Sequence, residues 1–102
     1  MALKIIFMGT PDFAVPILQS IKISEHKILC VYTQTPKKKN RGQKTGFTPI
    51  HEFSEQNNLN LRHPENLDND VELEFFKKEK PDVVVVVAYG KILPKRLLNI
   101  KN

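Results

Sequence analysis

A glycine turn followed by polar residues comes directly after the first apolar run of the chain. The run Leu3–Met8 reads as a buried strand, and Gly9-Thr10-Pro11-Asp12-Phe13 leads from it into a helical pattern. Backbone N–H groups and the positive end of a helix converge at such a turn, and ligands of open α/β sheets bind there. The turn is neither a G-x-G-x-x-G sequence nor a phosphate loop with its lysine. It therefore indicates a ligand crevice without identifying the ligand.

A second turn follows the other strongly apolar run of the chain. Residues 83–87 are five consecutive valines, and the run continues through Tyr89 into Gly90, Lys91, Ile92, Leu93 and Pro94. The Tyr89-Gly90 turn therefore lies at the carboxyl end of a second buried strand.

The excess positive charge of the chain lies in one segment. The 102 residues include 16 lysines and arginines and 11 acidic residues, for a net charge of +5. Nothing acidic lies between Thr33 and His51. The rest of the chain is neutral, so this charge distribution indicates a polyanionic partner that contacts the basic loop. The basic residues of this segment are Lys37, Lys38, Lys39, Arg41 and Lys44.

Apolar runs and helical patterns alternate along the chain, which favours a parallel sheet with right-handed crossovers. Continuously apolar strands are buried on both faces, so helices are expected on both sides. The predicted fold is α/β, a Rossmann-like open parallel sheet with strand order 3-2-1-4, in which both turns flank one crevice. The predicted strands are Leu3–Met8, Ile28–Thr33, Leu59–Leu61 and Val83–Tyr89, and the predicted helices are Asp12–Ile23, Asp70–Lys78 and two that begin at Thr48-Pro49 and Pro94.

The fourth strand would form an exposed apolar edge, which natural sheets avoid. We therefore expect residues 1–102 to be an incomplete domain, able to self-associate through this strand. Cys30 lies inside an apolar strand and is expected to be a buried thiol. His26, His51 and His63 are expected to have surface or capping roles. With no metal-ligand cluster, signal peptide or apolar run long enough for a membrane span, the sequence favours a cytoplasmic protein without a metal cofactor.

The combination of these segments resembles the amino-terminal part of the methionyl-tRNA formyltransferase family. The likeness covers essentially the whole chain. It includes both turns, Val31-Tyr32-Thr33-Gln34 running into a basic loop with Arg41-Gly42, the Thr48-Pro49 helix start, and Val86–Pro94. The basic loop distinguishes the tRNA enzymes from related formyltransferases that act on small substrates.

This resemblance implies transfer of a formyl group from 10-formyltetrahydrofolate to the methionyl amino group of initiator tRNA. It assigns Gly9–Phe13 to the substrate crevice, Tyr89–Leu93 to the cofactor pocket, and the basic residues of 37–44 to tRNA.

The resemblance assigns no catalytic residue within the chain. The family's catalytic Asn and His lie in an Asn-x-His-x-Ser-Leu-Leu-Pro run, followed by a later Asp, and that run is absent from these 102 residues. Asn99 and Asn102 have no following His or Leu-Leu-Pro, so neither matches the catalytic asparagine. The family's Asn, His and Asp are therefore expected to lie beyond Asn102, and residues 1–102 are expected to be inactive alone.

Two other interpretations remain open from the sequence. One is a formyltransferase for a small substrate, such as glycinamide ribonucleotide or a sugar nucleotide, against which the basic loop argues. The other is a basic RNA-binding module without catalytic activity, which would need a protected fourth strand.

Overall fold

A parallel sheet forms the centre of the protein. The computed structural model describes residues 2–36 and 46–98, with Leu98 described by its backbone alone. Within them the strands are β1 (Lys4–Gly9), β2 (Lys27–Tyr32), β3 (Leu61–Arg62) and β4 (Val83–Val87). Every pairing is parallel and the order is β3-β2-β1-β4. The predicted fold class and strand order are confirmed.

Helices follow the strands as the alternating pattern predicts. A 3₁₀ turn at Asp12–Ala14 precedes α1 (Val15–Lys22), so the predicted helix over 12–23 is in two parts. Pro16 lies in the first turn of α1, where its missing N–H leaves no hydrogen bond unmade. Thr48 caps α2 (Pro49–Gln56) by accepting from the His51 N–H, as expected. The remaining helices are α3 (Asp70–Glu79) and α4 (Lys95–Leu98).

The two faces of the sheet bury separate apolar clusters. On one face, Phe7 of β1 packs with Leu18 of α1 and Ile50 of α2. On the other, Ile6 and Met8 pack with residues of α3 and α4. Successive β1 side chains point to opposite faces, so β1 is buried on both sides as predicted.

Several element boundaries, and the orientation of one helix, differ from what the sequence indicated. β3 begins at Leu61, two residues later than expected. β4 ends at Val87 rather than Tyr89, because Ala88 adopts a left-handed φ of 51° that cannot continue a strand. On α3, the apolar Val71 is 66% exposed, whereas Glu72 is 5% exposed. The helix is turned so that a carboxylate, not a valine, faces the sheet.

Candidate functional site

The two turns predicted to flank one crevice are joined by a hydrogen bond. Gly9 and Val87 are register partners at the carboxyl ends of β1 and β4. Just beyond them, the Thr10 hydroxyl donates to the carbonyl oxygen of Tyr89 at 2.7 Å. Pro11 occupies the cap position of the following 3₁₀ turn without a side-chain hydrogen bond, so neither Thr10 nor Asp12 caps it. Thr10 instead fixes the start of the second turn relative to the first.

Glycines let the backbone segments of this crevice approach closely. A Cβ at Gly9 would lie 3.0 Å from the carbonyl oxygen of Val87 and 2.8 Å from the Phe7 ring. Gly90 has a φ of 93°, and a Cβ there would overlap the side-chain amide of Gln34. Gln34 follows β2, so its side chain reaches the turn beyond β4 across the end of β1. Both turns are therefore positioned by contacts that a larger residue would disrupt.

The candidate cofactor residues offer mainly backbone groups. The Tyr89 ring is buried in the core beneath α3 and α4. Burial, with a smaller contribution from the Glu72 charge, raises the pKa of Tyr89 to about 12. The Lys91 ammonium donates to the carbonyl oxygens of Pro64 and Glu65 at 2.9 and 2.6 Å. Leu93 packs against the core, whereas Ile92 is exposed. Lys91 thus ties this turn to the segment after β3.

The five candidate tRNA-binding residues, Lys37, Lys38, Lys39, Arg41 and Lys44, lie outside the described residues. The described chain before them leaves β2 through Thr33, and the described chain after them enters α2 through Thr48. The hydroxyl oxygens of these two threonines are 2.7 Å apart. This hydrogen bond joins the residues that precede and follow the basic segment, at the carboxyl edge of the sheet.

The two asparagines near the end of the sequence also lie outside the described residues. The described part of the chain extends to Leu98, so it includes neither Asn99 nor Asn102. Asn99 is followed two residues later by Lys101 rather than by a His, so its sequence context differs from that of the family's catalytic asparagine. The expectation that the family's catalytic Asn, His and Asp lie beyond Asn102 therefore stays a prediction.

Three aromatic rings are stacked beside the ends of the basic segment. The ring centroids of Phe47 and His51 are 4.1 Å apart and the two rings are nearly parallel, and the ring centroids of His51 and His63 are 5.2 Å apart. We call Phe47, His51 and His63 the ring stack. His51 is 3% exposed, so its expected surface role is wrong. It is buried between Phe47 and His63, which come from separate segments of the chain. No local pattern in the sequence predicts that these residues meet. His26, by contrast, accepts a hydrogen bond from the Leu3 N–H.

A buried ionic cluster on the α3 face was also missed by the sequence reasoning. Glu72 accepts from the Tyr32 hydroxyl at 2.5 Å and from Arg62 Nε and Nη2 at 2.8 and 3.2 Å. Burial by itself would raise the pKa of Glu72, but the hydrogen bonds from Arg62 and Tyr32 keep it below its ordinary value. The only sequence signal was an acidic residue among the apolar positions of α3, which is too common to predict burial.

Other site types find no support among residues 2–36 and 46–98. No group of three or more His, Cys, Asp or Glu side chains there is arranged to hold a metal ion. No helix in those ranges has the length and apolar character to cross a membrane. The site consists of the crevice between the β1 and β4 turns and the ring stack beyond β2 and β3.

Comparison with known proteins gives a consistent result. A family model described as Formyl transferase matches residues 3–102. A protein named methionyl-tRNA formyltransferase from Fusobacterium nucleatum is 48% identical over 98 residues, which are 96% of this chain and 31% of the relative. The proteins of that name from Pelagibacter ubique and Coxiella burnetii are 50% and 48% identical, with 98% and 97% of this chain and 33% and 32% of each relative covered. The chain thus spans about a third of the length of these curated relatives.

Proposed function

The chain belongs to the formyl transferase family, and we propose that it supplies the donor-binding and tRNA-binding parts of a methionyl-tRNA formyltransferase. The reaction would move a formyl group from 10-formyltetrahydrofolate to the methionyl amino group of initiator tRNA. The observation that carries this proposal is the hydrogen bond between Thr10 and the Tyr89 carbonyl. It brings the two turns that the family resemblance assigns to substrate and cofactor to one crevice.

The donor would bind through the backbone of Tyr89–Leu93. A pterin presents donors and acceptors in one plane, and a strand end presents carbonyl and N–H groups in a fixed array. The Tyr89 side chain is buried and the Lys91 ammonium is already hydrogen-bonded, so neither needs to move for such binding. Thr10, Gln34 and Lys91 each hold this turn from a different direction, which preorganises it for a rigid ligand.

Formyl transfer would need catalytic groups other than those identified in residues 1–102. Acyl transfer to an amine requires a neutral amine, a stabiliser for the tetrahedral oxyanion and a proton acceptor. The Asn-x-His-x-Ser-Leu-Leu-Pro run to which the family resemblance assigns two of these roles is absent from residues 1–102. We propose that these residues bind donor and tRNA and that transfer requires the Asn, His and Asp of the complete enzyme.

The partner assignment relies on charge. Lys37, Lys38, Lys39, Arg41 and Lys44 account for the whole net charge of +5, and the hydrogen bond between Thr33 and Thr48 joins the described residues on either side of their segment at the carboxyl edge of the sheet. Phosphates of the acceptor end of tRNA are the polyanion that would approach this edge.

Donor binding can be tested with Thr10→Val, which removes the hydroxyl while nearly keeping the side-chain shape. We expect the chain to bind 10-formyltetrahydrofolate, measured by calorimetry. The variant should bind about three- to tenfold more weakly, since one neutral hydrogen bond contributes about 0.5–1.5 kcal/mol.

Ser20→Ala is the matched control for this measurement. The Ser20 hydroxyl donates to the Pro16 carbonyl on an exposed turn of α1, so its loss should leave donor affinity unchanged. Absence of donor binding by the unaltered chain would refute the proposed donor site. Equal losses in both variants would show that Thr10 acts on general stability only.

A further inference from the structure

The ring stack has two aromatic faces that no other ring covers within the described residues. Phe47 lies against one face of His51 at 4.1 Å, so His63 must lie against the opposite face. The middle ring is therefore enclosed, which explains its 3% exposure. The outer rings remain accessible, with Phe47 38% exposed and His63 also exposed. The exposed part of each outer ring is the surface on which one more flat group would stack.

We propose that the ring stack binds an unpaired RNA base by extending the stack on an outer ring, Phe47 or His63. Single-stranded RNA is recognised largely through bases stacked on Phe, Tyr, Trp or His side chains. This inference rests on the proposed tRNA partner and adds to it a contact site outside the basic segment. The ligand is an unpaired nucleotide, since a base inside a duplex has both faces covered by its neighbours.

Glu55 Oε2 lies 3.5 Å from Nε2 of His51 in the middle of the stack, so the charge that favours an RNA strand over other aromatic ligands comes from the basic segment. Lys44 precedes Phe47 by three residues in the sequence, and the basic segment that it ends carries the excess charge of the chain. Arg62 is adjacent to His63, but its guanidinium is bound to Glu72. The stack itself therefore contributes aromatic surface, and the basic segment contributes the attraction for phosphates.

The position of the ring stack suits an RNA strand whose end enters the crevice between the β1 and β4 turns. His63 follows β3 and Phe47 precedes α2, so the stack lies at the same carboxyl edge as Thr10 and Tyr89. β3 and β1 are two strand spacings apart in the sheet, which corresponds to about 10 Å. An RNA end whose terminal residue occupies the crevice would have a preceding nucleotide within reach of the rings.

The test compares His63→Ala with His63→Phe in the whole chain, using a single-stranded oligoadenylate and an RNA duplex as probes. Removing the outer ring that carries the base, His63 or Phe47, should weaken binding of the single strand roughly tenfold, because the base loses its stacking contact. His63→Phe should restore it. Neither variant should change duplex binding. Circular dichroism of both variants checks that the fold is kept, and Phe47→Ala provides a second variant at the other end of the stack.

Salt dependence separates stacking from phosphate contacts. His63→Ala should lower affinity without changing the slope of log K against log salt, whereas neutralising Lys37, Lys38 and Lys39 should reduce that slope. In NMR spectra, the single strand should shift the ring signals of His63 or Phe47 upfield.

Each contrary outcome has a distinct meaning. If both Ala variants bind oligoadenylate as well as the unaltered chain, the stacking site is refuted, while the proposed RNA partner stands as long as lysine neutralisation still weakens binding. If the unaltered chain binds neither RNA, both the stack and the tRNA assignment fail, and donor binding is judged by the calorimetric test alone. Ring shifts caused by folic acid but not by RNA would also overturn the proposal.

Discussion

The two outer strands of the described sheet, β3 and β4, are constructed differently. Both pair with one neighbour only within the described residues. β3 has two residues, and its Arg62 is held by Glu72 and lies 4.3 Å over the Phe75 ring. β4 has five valines, and Val83, Val84 and Val86 are substantially exposed. A short strand with a charged, engaged residue resists the addition of another strand, whereas a longer apolar one invites it.

The difference shows that edge protection here comes from a contact between elements. Arg62 alone would be a solvated charge, but with Tyr32 and Glu72 it joins β3, β2 and α3. No equivalent polar group lies among the residues of β4, which are all valine. Three measurements test how far the two edges differ.

The largest effect is expected from Glu72→Ala, which leaves the Tyr32 hydroxyl and Arg62 without their acceptor. Breaking a buried ion pair typically costs 3–5 kcal/mol, but Arg62 is 30% exposed, so we expect a loss of about 2–3 kcal/mol in the free energy of unfolding. Urea denaturation measures it. Arg96→Gln is the control, because Arg96 pairs with exposed Asp68 and Asp70 and should matter little. Similar losses in both variants would show that the burial of Tyr32, Arg62 and Glu72 adds nothing to the free energy of unfolding.

A smaller effect on the free energy of unfolding is expected when the pH is lowered. The pKa of Glu72 in the folded chain lies below its ordinary value of 4.5, so its contribution to stability is complete above that value. The contribution is lost as the pH falls through the folded-state pKa, because the unfolded chain then binds more protons. Between about pH 5 and pH 3 the unaltered chain should therefore lose more stability than Glu72→Gln. Parallel pH profiles of the two proteins would contradict this assignment.

The smallest change in stability is expected on β4, where Val86→Lys places a charge on the exposed edge. Val86 is 45% exposed, so the free energy of unfolding should change by about 0.5 kcal/mol. Self-association, measured by sedimentation velocity, should decrease because an edge lysine opposes strand addition. Val85→Lys is the contrasting variant, since Val85 packs against the Phe7 cluster and its replacement should destabilise the fold. If the unaltered chain is monomeric at high concentration, the β4 edge is not a site of association.

The features that the sequence predicted are those set by local pattern. Continuous apolar runs identified β1, β2 and β4 as strands, and alternation with helices led to the observed order. The glycine turns after β1 and β4 were correctly expected to meet, because the carboxyl ends of neighbouring parallel strands share one edge. The resemblance to methionyl-tRNA formyltransferases is confirmed by the family match and the similar relatives. The assignment of individual residues to donor and tRNA stays a prediction, as does the placement of the catalytic residues beyond Asn102.

What the sequence could not predict depends on contacts between distant segments. Glu72 is buried because Tyr32 and Arg62, 40 and 10 residues away, supply donors to its carboxylate. His51 is buried because Phe47 and His63 cover its two faces. A helical pattern gives the spacing of side chains but not which face meets such partners, so it did not indicate that Glu72 is buried and Val71 exposed.

Cys30 gives the protein an internal reporter of local opening. It is the single cysteine of the chain, it is 1% exposed, and burial raises its pKa to about 12. Thiol reagents attack the thiolate, so a closed sheet leaves this residue unreactive at neutral pH. Its register partner is Ile6 on β1. The rate of Cys30 labelling therefore follows separation of the two central strands, and it gives their opening free energy without an engineered probe.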